Sequence, residues 1–428
     1  MPIPWQAAYN FSRMTSLGLF AILLTLAAVF GVLNARTLRL PASIGVLVFA
    51  LLASMVLLAV NPLIPGYDLR VLSRRFLDVI DLPHALLNGA LSFLLFAGAL
   101  QVDLTELWSR KFAVLALALV GTLLSVALFG GTMWLIFPFL GPAVPFIWCI
   151  VLGAVLAPTD PVSVIGMLRR VGLPAPLQAV FAGESLFNDG VGVVIFGAAL
   201  GVAVGGNSVV SGTEIFSSFI VEAFGGGLLG LALGWIAVQL MRAVDDAHLE
   251  LILSLALATG TFSLAAALGM SGPIAVVVAG LTLGSRRNLS AFSGNSRDEL
   301  MTFWSLVDEV LNMLLFLLIG FEVLAVAFRL SHIVAVLIAI PLSIIVRAIS
   351  VFVASLPIQL RNRDRGRSLV VLTWGGLRGG ISVALALGLP ENDVRPALLA
   401  VSYGVVIFTI IVQGLTIERV ARLFYRVE

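Results

Sequence analysis

The sequence predicts an all-α, polytopic membrane protein, and two observations support this fold class. Of the 428 residues, 60% are hydrophobic and only 11% are charged, with a mean hydropathy of +1.11. Soluble domains carry about 25% charged residues, so this composition argues against a soluble protein. Apolar runs of the length needed to cross a bilayer, roughly 20 residues, also follow one another along the whole chain.

We delimit thirteen apolar runs by the charges, glycines and prolines that separate them, and we predict about 13 transmembrane helices. The ninth run is short, so we expect it to be tilted or incomplete. In chain order, the predicted spans cover residues 17–34, 41–60, 84–101, 112–138, 145–168, 176–204, 214–241, 249–269, 272–286, 303–327, 332–357, 367–389 and 396–418.

The distribution of basic residues supports this number of spans. The odd-numbered connections and the C-terminal segment hold seventeen Lys and Arg residues, whereas the N-terminal segment and the even-numbered connections hold six. Positively charged connections stay in the cytoplasm, so we expect the N-terminus outside and the C-terminus inside. One span more or fewer would destroy this alternation.

Two of the predicted spans contain helix-breaking residues. In the fifth span, Pro158 and Pro161 flank Thr159 and Asp160, and each proline interrupts the helix before it. In the twelfth span, four glycines fall within residues 375–380. The two spans occupy matching positions and cross in opposite directions. We therefore expect inverted repeats, spans 1–6 and 8–13, with the two broken helices crossing near the midplane at a binding site.

The first candidate site residues lie in the broken fifth span. Asp160 follows Thr159, and a carboxylate beside an unwound backbone can bind a hard cation together with a hydroxyl or carbonyl oxygen. A structural alternative is that Asp160 caps the half-helix starting at Pro161. The two interpretations are compatible with each other.

The sixth span carries a polar face at mid-depth. Glu184, Ser185, Asn188 and Asp189 fall within an arc of roughly 140°, at about 100° per residue. A polar face is usually solvated, but at this depth water is present only in a cavity. Carboxylates persist in a membrane mainly where they bind an ion or relay protons. If Asp160 and Asp189 approach each other, their repulsion favours binding of either a proton or a cation, which is the basis of cation/proton exchange.

Two arginines within the spans are candidate partners of these carboxylates. We expect Arg347 in the eleventh span to pair with Glu184, although Glu184 could instead contact the ion. Arg378 is expected to offset the negative site or the ends of the half-helices. Asn188 is expected to join the two broken spans by hydrogen bonds.

The other acidic residues and the composition indicate no further functional site. Asp308, Glu309 and Glu322 in the tenth span are interpreted as interfacial charges. The net charge of +2 without a basic block gives no support for nucleic-acid binding. The single Cys149 excludes an internal disulfide, and the three scattered histidines argue against a zinc site.

Three motifs in this order resemble the monovalent cation/proton antiporter-1 family, and in particular its bacterial NhaP-type sodium/proton antiporters. They are residues 159–161 (TDP), 183–190 (GESLFNDG) and 374–380 (WGGLRGG). The resemblance implies a multi-pass protein of the bacterial inner membrane and a homodimer. It implies no cofactor, since Na⁺ (or Li⁺) and H⁺ are transported, and no partner besides lipid and a second copy. We also expect no large C-terminal regulatory domain.

The resemblance also implies a division of the chain and a set of site residues. Residues 112–204 and 332–418 would form an ion-translocating core, and residues 17–101 and 214–327 an interface bundle that dimerises. The cation would bind among Asp160, Asp189, Ser185 and the Thr159 backbone, with Glu184 nearby and paired with Arg347. The sequence Asn188-Asp189 resembles that of electroneutral exchangers, which implies one sodium for one proton by an elevator-like movement.

Three alternatives remain open at this point. A potassium/proton antiporter would use the same oxygen ligands, because selectivity depends on cavity dimensions. A cation channel could use the acidic residues as a filter. An intramembrane aspartyl protease also has two membrane aspartates, but its sequence signatures do not match those around Asp160 and Asp189.

Overall fold

The computed structural model describes residues 16–61, 89–141, 143–160, 171–205, 212–244, 246–285, 288, 294–322, 330–356 and 365–425. These residues form helices and connections, and no strand occurs among them. The helices are α1 (Ser16–Arg36), α2 (Ala42–Val60), α3 (Leu91–Leu100), α4 (Leu104–Ser109), α5 (Lys111–Leu140), α6 (Phe146–Val155), α7 (Ala175–Val204), α8 (Gly212–Arg242), α9 (Ala247–Ala267), α10 (Gly272–Leu283), α11 (Gly294–Glu322), α12 (Leu330–Ser355), α13 (Arg365–Trp374), α14 (Gly380–Leu387) and α15 (Arg395–Phe424).

The all-helical membrane fold is confirmed. Within the described ranges, nine helices are long and apolar enough to cross a bilayer, and three further apolar helices are shorter. Together with the interrupted pair α13 and α14, they account for each of the thirteen predicted spans. The half-helix predicted to start at Pro161 lies outside the described residues, as do the parts of the third and tenth spans at 84–88 and 323–327.

The short helices are tolerated because protein surrounds them. Helix α10 has 12 residues, which at about 1.5 Å per residue is too short to cross the hydrocarbon core. It begins at the N-cap Ser271, whose Oγ accepts a hydrogen bond from Ile274 N. Most of its side chains are buried, because it packs against α3, α7, α8 and α9. The predicted short ninth span is therefore an internal helix.

One predicted boundary is wrong. The tenth span was expected to begin near residue 303, but α11 already begins at Gly294. Its first turns are polar, and polar residues such as Arg297 and Glu299 are good helix formers outside the apolar run. The earlier start places Asp308 in the middle of α11 rather than near its end.

Helix α7 holds the central position around which the site is built. It packs against α5 and α6 on one side and against α10 on another. At Gly190 a Cβ atom would lie 2.7 Å from Ile274 of α10, and at Gly192 one would lie 2.8 Å from Pro158. These glycines allow the backbone of α7 to approach its neighbours closely, next to Asp189.

Candidate functional site

The two predicted helix breaks are present, and they lie against each other. Helix α6 ends at Val155, and the chain continues without helix to Asp160. Helices α13 and α14 are separated by residues 375–379. The main-chain N–H of Asp160 donates a 2.7 Å hydrogen bond to the carbonyl oxygen of Leu377. A backbone N–H without a helical partner at one break is therefore hydrogen-bonded to a backbone carbonyl at the other. Such partners are required where an interrupted helix is buried in a membrane protein.

Arg378 connects the two breaks with its side chain. Its Nη1 donates to the carbonyl oxygens of Ala157 at 2.5 Å and Pro158 at 3.2 Å. These carbonyls follow the C-terminal end of α6, where a positive charge is favourable. The N–H of Arg378 donates to Thr409 Oγ1 at 3.1 Å, and Thr409 begins a π-helical segment in α15. The Arg378 guanidinium thus binds the carbonyl groups that follow the C-terminal end of α6, which is one of the two roles expected for it.

The fifth span is held against α7 by polar side chains. Thr159 Oγ1 and Ser185 Oγ lie 2.8 Å apart within hydrogen-bond range, and Asn188 Nδ2 donates to Thr159 Oγ1 at 2.8 Å. Asn188 Oδ1 accepts from the Thr159 N–H at 3.3 Å. The Asn188 hydrogen bonds reach the fifth span and Glu184. Among the described residues no hydrogen bond joins Asn188 to the twelfth span, contrary to the expectation that it joins both broken spans.

Glu184 and Arg347 form a buried ion pair. Arg347 Nη1 donates to Glu184 Oε1 at 2.8 Å, and Nη2 donates to Oε2 at 2.7 Å. Glu184 is fully buried, and its Oε1 also accepts from Asn188 Nδ2 at 2.9 Å. Both carboxylate oxygens are therefore occupied, which favours the pairing interpretation of Glu184 over direct contact with an ion.

Asp189 lies beside a small cavity at the crossing of the breaks. The cavity has a volume of about 40 Å³; one water needs about 10–15 Å³, so there is room for a cation with one or two waters. Asp189 is 3% exposed, and its Oδ1 has no hydrogen-bond partner among the described residues. The cavity is lined by Leu94, Leu95, Gly98, Pro158, Thr159, Asp160, Leu186, Asp189, Asn312, Leu315, Gly379, Gly380 and Ile381.

Gly379 allows the twelfth span to approach Asp160. A Cβ atom at this position would lie 2.6 Å from the Asp160 Cβ and 3.3 Å from its Oδ2. The backbone of Gly379 is extended, with φ −117°, so the requirement for glycine is one of space. The cavity therefore depends on the absence of a side chain here.

The contribution of α11 to the cavity was not predicted from the sequence. Asp308 is 4% exposed and Asn312 is 8% exposed, and Asn312 lines the cavity beside Asp160 and Asp189. The interfacial interpretation of Asp308 is therefore wrong. The sequence feature that could have predicted this contribution is the spacing of Asp308 and Asn312. These residues are one helical turn apart and lie on the same helix face as Leu315.

The groups around the cavity suit a hard cation. Their oxygen atoms come from carboxylates, hydroxyls and main-chain carbonyls, which suit such ions. Across the described part of the chain, no group of three His, Cys, Asp or Glu side chains could hold a resident metal ion.

Comparisons with known proteins agree with this geometry. The family described as "Sodium/hydrogen exchanger, transmembrane" matches residues 22–423. The chain is 40% identical over 416 residues to the Na(+)/H(+) antiporter NhaP of Pseudomonas aeruginosa, covering 96% of this chain and 97% of that one. It is 34% identical over 341 residues to the Na(+)/H(+) antiporter NhaH of Halobacillus aidingensis, covering 78% and 81%.

A solved structure supports the fold independently. The sodium proton antiporter MjNhaP1 from Methanocaldococcus jannaschii superposes with a TM-score of 0.76, covering 97% of this chain and 100% of that one at 19% identity. At 19% identity, this similarity supports the fold alone. Membership of a transporter family also disfavours the intramembrane protease. The match over nearly the full length, together with the relatives above 30% identity, leads to one conclusion: the chain belongs to the transmembrane sodium/hydrogen exchanger family.

Proposed function

We propose that this chain is a secondary active antiporter that exchanges sodium, or lithium, for protons. The observation that carries the proposal is Asp189, a buried carboxylate with an unpartnered Oδ1 beside a cavity that Asp160 also lines. Such a group is stable in a membrane when it holds either a cation or a proton. Relatives at 40% and 34% identity are named Na(+)/H(+) antiporters, which supports the same activity here.

The proposed cation ligands are Asp160, Asp189, Ser185 and the main-chain oxygen of Thr159. The Thr159 hydroxyl is already bonded to Ser185 and Asn188, which favours its carbonyl as the ligand. Glu184 is assigned a neighbouring role, since Arg347 and Asn188 occupy its oxygens.

Charge balance at the crossing supports one-for-one exchange. Asp160, Glu184 and Asp189 carry three formal negative charges, and Arg347 and Arg378 carry two positive ones. The remaining single charge is neutralised by one monovalent cation or by one proton, but not by both. Asn188 is an amide next to Asp189, so no further carboxylate at that position takes up a second proton. We therefore propose an electroneutral cycle.

The proposed movement is an elevator-like displacement of a core against an interface bundle. The core comprises residues 112–204 and 332–418, which include both breaks and the Glu184–Arg347 pair. The bundle comprises residues 17–101 and 214–327, and it carries the dimer contact of a proposed homodimer. Because the breaks are bonded to each other through Asp160, Leu377 and Arg378, the two breaks can move together and change the side to which the site opens.

The proposed setting is the inner membrane of a bacterium, with the N-terminus outside and the C-terminus in the cytoplasm. The distribution of Lys and Arg between odd and even connections supports this orientation. In this orientation the loop between α5 and α6 faces outwards, and the loops between α3 and α5 and between α10 and α11 face the cytoplasm.

The experiment that tests the function is sodium-driven proton movement in proteoliposomes. The wild-type protein should show sodium-dependent proton flux, and Asp189→Asn should lose it, because the variant cannot exchange a proton for a cation. Asp298→Asn is the matched control, since it removes an exposed carboxylate near the start of α11 and should retain the flux.

Two outcomes would contradict the proposal. Retained exchange in Asp189→Asn, with the variant folded as judged by its thermal unfolding, would show that this carboxylate is not the shared site. Flux with potassium but not with sodium or lithium would replace the proposal with potassium/proton exchange, and a single-channel current would replace it with a cation channel.

A further inference from the structure

Helix α11 contributes a polar side chain to the cation cavity from outside the proposed core. Asn312 lines the cavity together with Asp160 and Asp189 and is 8% exposed. It lies within an otherwise apolar run, since residues 313–319 are all hydrophobic. An amide buried in such a run is costly unless it is bonded or has a function.

The orientation of this amide is fixed by Asp308 on the preceding turn. Asn312 Nδ2 donates to the main-chain oxygen of Asp308 at 3.0 Å and to its Oδ1 at 3.1 Å. A main-chain carbonyl oxygen can only accept, so the hydrogen bond to Asp308 O requires the NH₂ group of Asn312 to face Asp308. The polar atom that Asn312 can offer to the cavity is therefore its carbonyl oxygen Oδ1.

The packing of α11 holds Asn312 close to the break in the twelfth span. Leu315 lies three residues further along the helix, and a Cβ atom at Gly380 would lie 2.6 Å from its Cδ1. The neighbouring Gly379 makes the equivalent close approach to Asp160. A continuous series of contacts thus joins α11 to the carboxylate that we assign to the cation.

We propose that Asn312 Oδ1 is an additional cation ligand, supplied by α11, and that Asp308 is the positioning residue that presents it. The inference rests on the proposed sodium/proton exchange and adds a ligand from the other side of the proposed core–bundle boundary. A neutral carbonyl oxygen suits Na⁺ and Li⁺ but has little affinity for a proton, since it is not a titratable base. Asn312 therefore favours the cation form of the site over the protonated form.

The test compares three variants with the wild-type protein. Asn312→Leu removes the oxygen and places an apolar side chain beside Leu94 and Leu95, which also line the cavity. Asp308→Asn retains the shape but adds an NH₂ group that competes for the Asn312 carbonyl. Met313→Leu is the matched control, because Met313 packs against the apolar core and does not line the cavity.

Transport kinetics and ion-dependent thermal stability are the two measurements. We expect Asn312→Leu to raise the KM for sodium about tenfold, the effect of one lost polar contact, with a maximal rate close to that of the wild type. Asp308→Asn should raise KM less and should change the ratio of the lithium and sodium KM values, which a purely structural role would not do. Met313→Leu should change neither value.

The thermal measurement separates this inference from the proposed function. Sodium chloride should raise the Tm of the purified wild-type protein relative to choline chloride, and Asn312→Leu should need a higher sodium concentration for the same increase. An unchanged sodium dependence in Asn312→Leu, with the wild type responding, would overturn the role of Asn312. If the wild type transports neither sodium nor lithium, or if Asp189→Asn still exchanges sodium for protons, the proposed function fails first.

Discussion

At the scale of single residues, the Glu184–Arg347 pair fixes where α12 meets the polar face of α7. Both side chains are buried and joined by two hydrogen bonds. Removing one member of such a pair leaves an uncompensated charge and typically costs about 3–5 kcal/mol. We therefore expect Arg347→Met to lower the free energy of unfolding by about this amount, measured by Trp fluorescence during thermal unfolding in detergent.

The double variant is the control for this prediction. Glu184→Gln together with Arg347→Met removes both charges, so it should be considerably more stable than Arg347→Met alone. Equal destabilisation of the single and double variants would show that packing of the arginine stem, and not the charge pair, is responsible.

The sequence predicted this pair but not the orientation of every neighbour. Arg347 and Glu184 were identified because each is a charge at mid-depth that needs a partner. The amide of Asn188 could not be oriented in the same way, since hydrogen bonds to the fifth or the twelfth span were equally available to it in the sequence. Asp308 and Asn312 were not assigned to the site because they lie near the polar start of the tenth apolar run, where a charge at the membrane surface was the simpler interpretation.

At the scale of helices, the broken twelfth span depends on small residues at defined positions. Gly379→Ala would place a Cβ atom 2.6 Å from the Asp160 Cβ, so Asp160 or the break must shift. We expect loss of most sodium-dependent proton flux, together with a destabilisation of about 1–3 kcal/mol, as is typical of overpacking. The flux is measured in proteoliposomes and the stability by thermal unfolding of the same preparation.

A glycine just before the same span provides the matched control. At Gly366, at the start of α13, a Cβ atom would have no neighbour within 4 Å. Gly366→Ala should therefore leave the flux unchanged and the stability unchanged or slightly improved. Normal transport by Gly379→Ala would mean that the close approach to Asp160 is not required.

Both breaks could be located from the sequence because proline and glycine act locally on the backbone. The contacts between them could not be predicted in the same way. The hydrogen bond from Asp160 N to Leu377 O joins residues far apart in the chain, and no local pattern encodes such a pairing. The matching positions of the two broken spans in the predicted inverted repeats indicated only that both breaks lie near the same depth in the membrane.

At the scale of the whole molecule, hydropathy and charge predicted the number and order of the spans. They succeed because lipid and the cytoplasmic surface select for composition segment by segment. They say little about which helices pack together, since an apolar residue suits lipid and protein interior alike. The division into a moving core and an interface bundle therefore stays a prediction, and so does the homodimer.

The response to membrane voltage tests the proposed cycle as a whole. In one-for-one exchange the transported charges cancel, so voltage does no net work and the flux should vanish wherever the sodium and proton gradients are equal. If two protons moved per sodium, 100 mV would contribute about 2.3 kcal/mol, which shifts the sodium ratio at zero flux about fiftyfold. Proteoliposomes clamped at zero and at 100 mV distinguish these cases directly. We expect the same zero-flux ratio at both voltages, and a shift of this size would retain the antiporter but reject the charge balance at Asp160, Glu184 and Asp189.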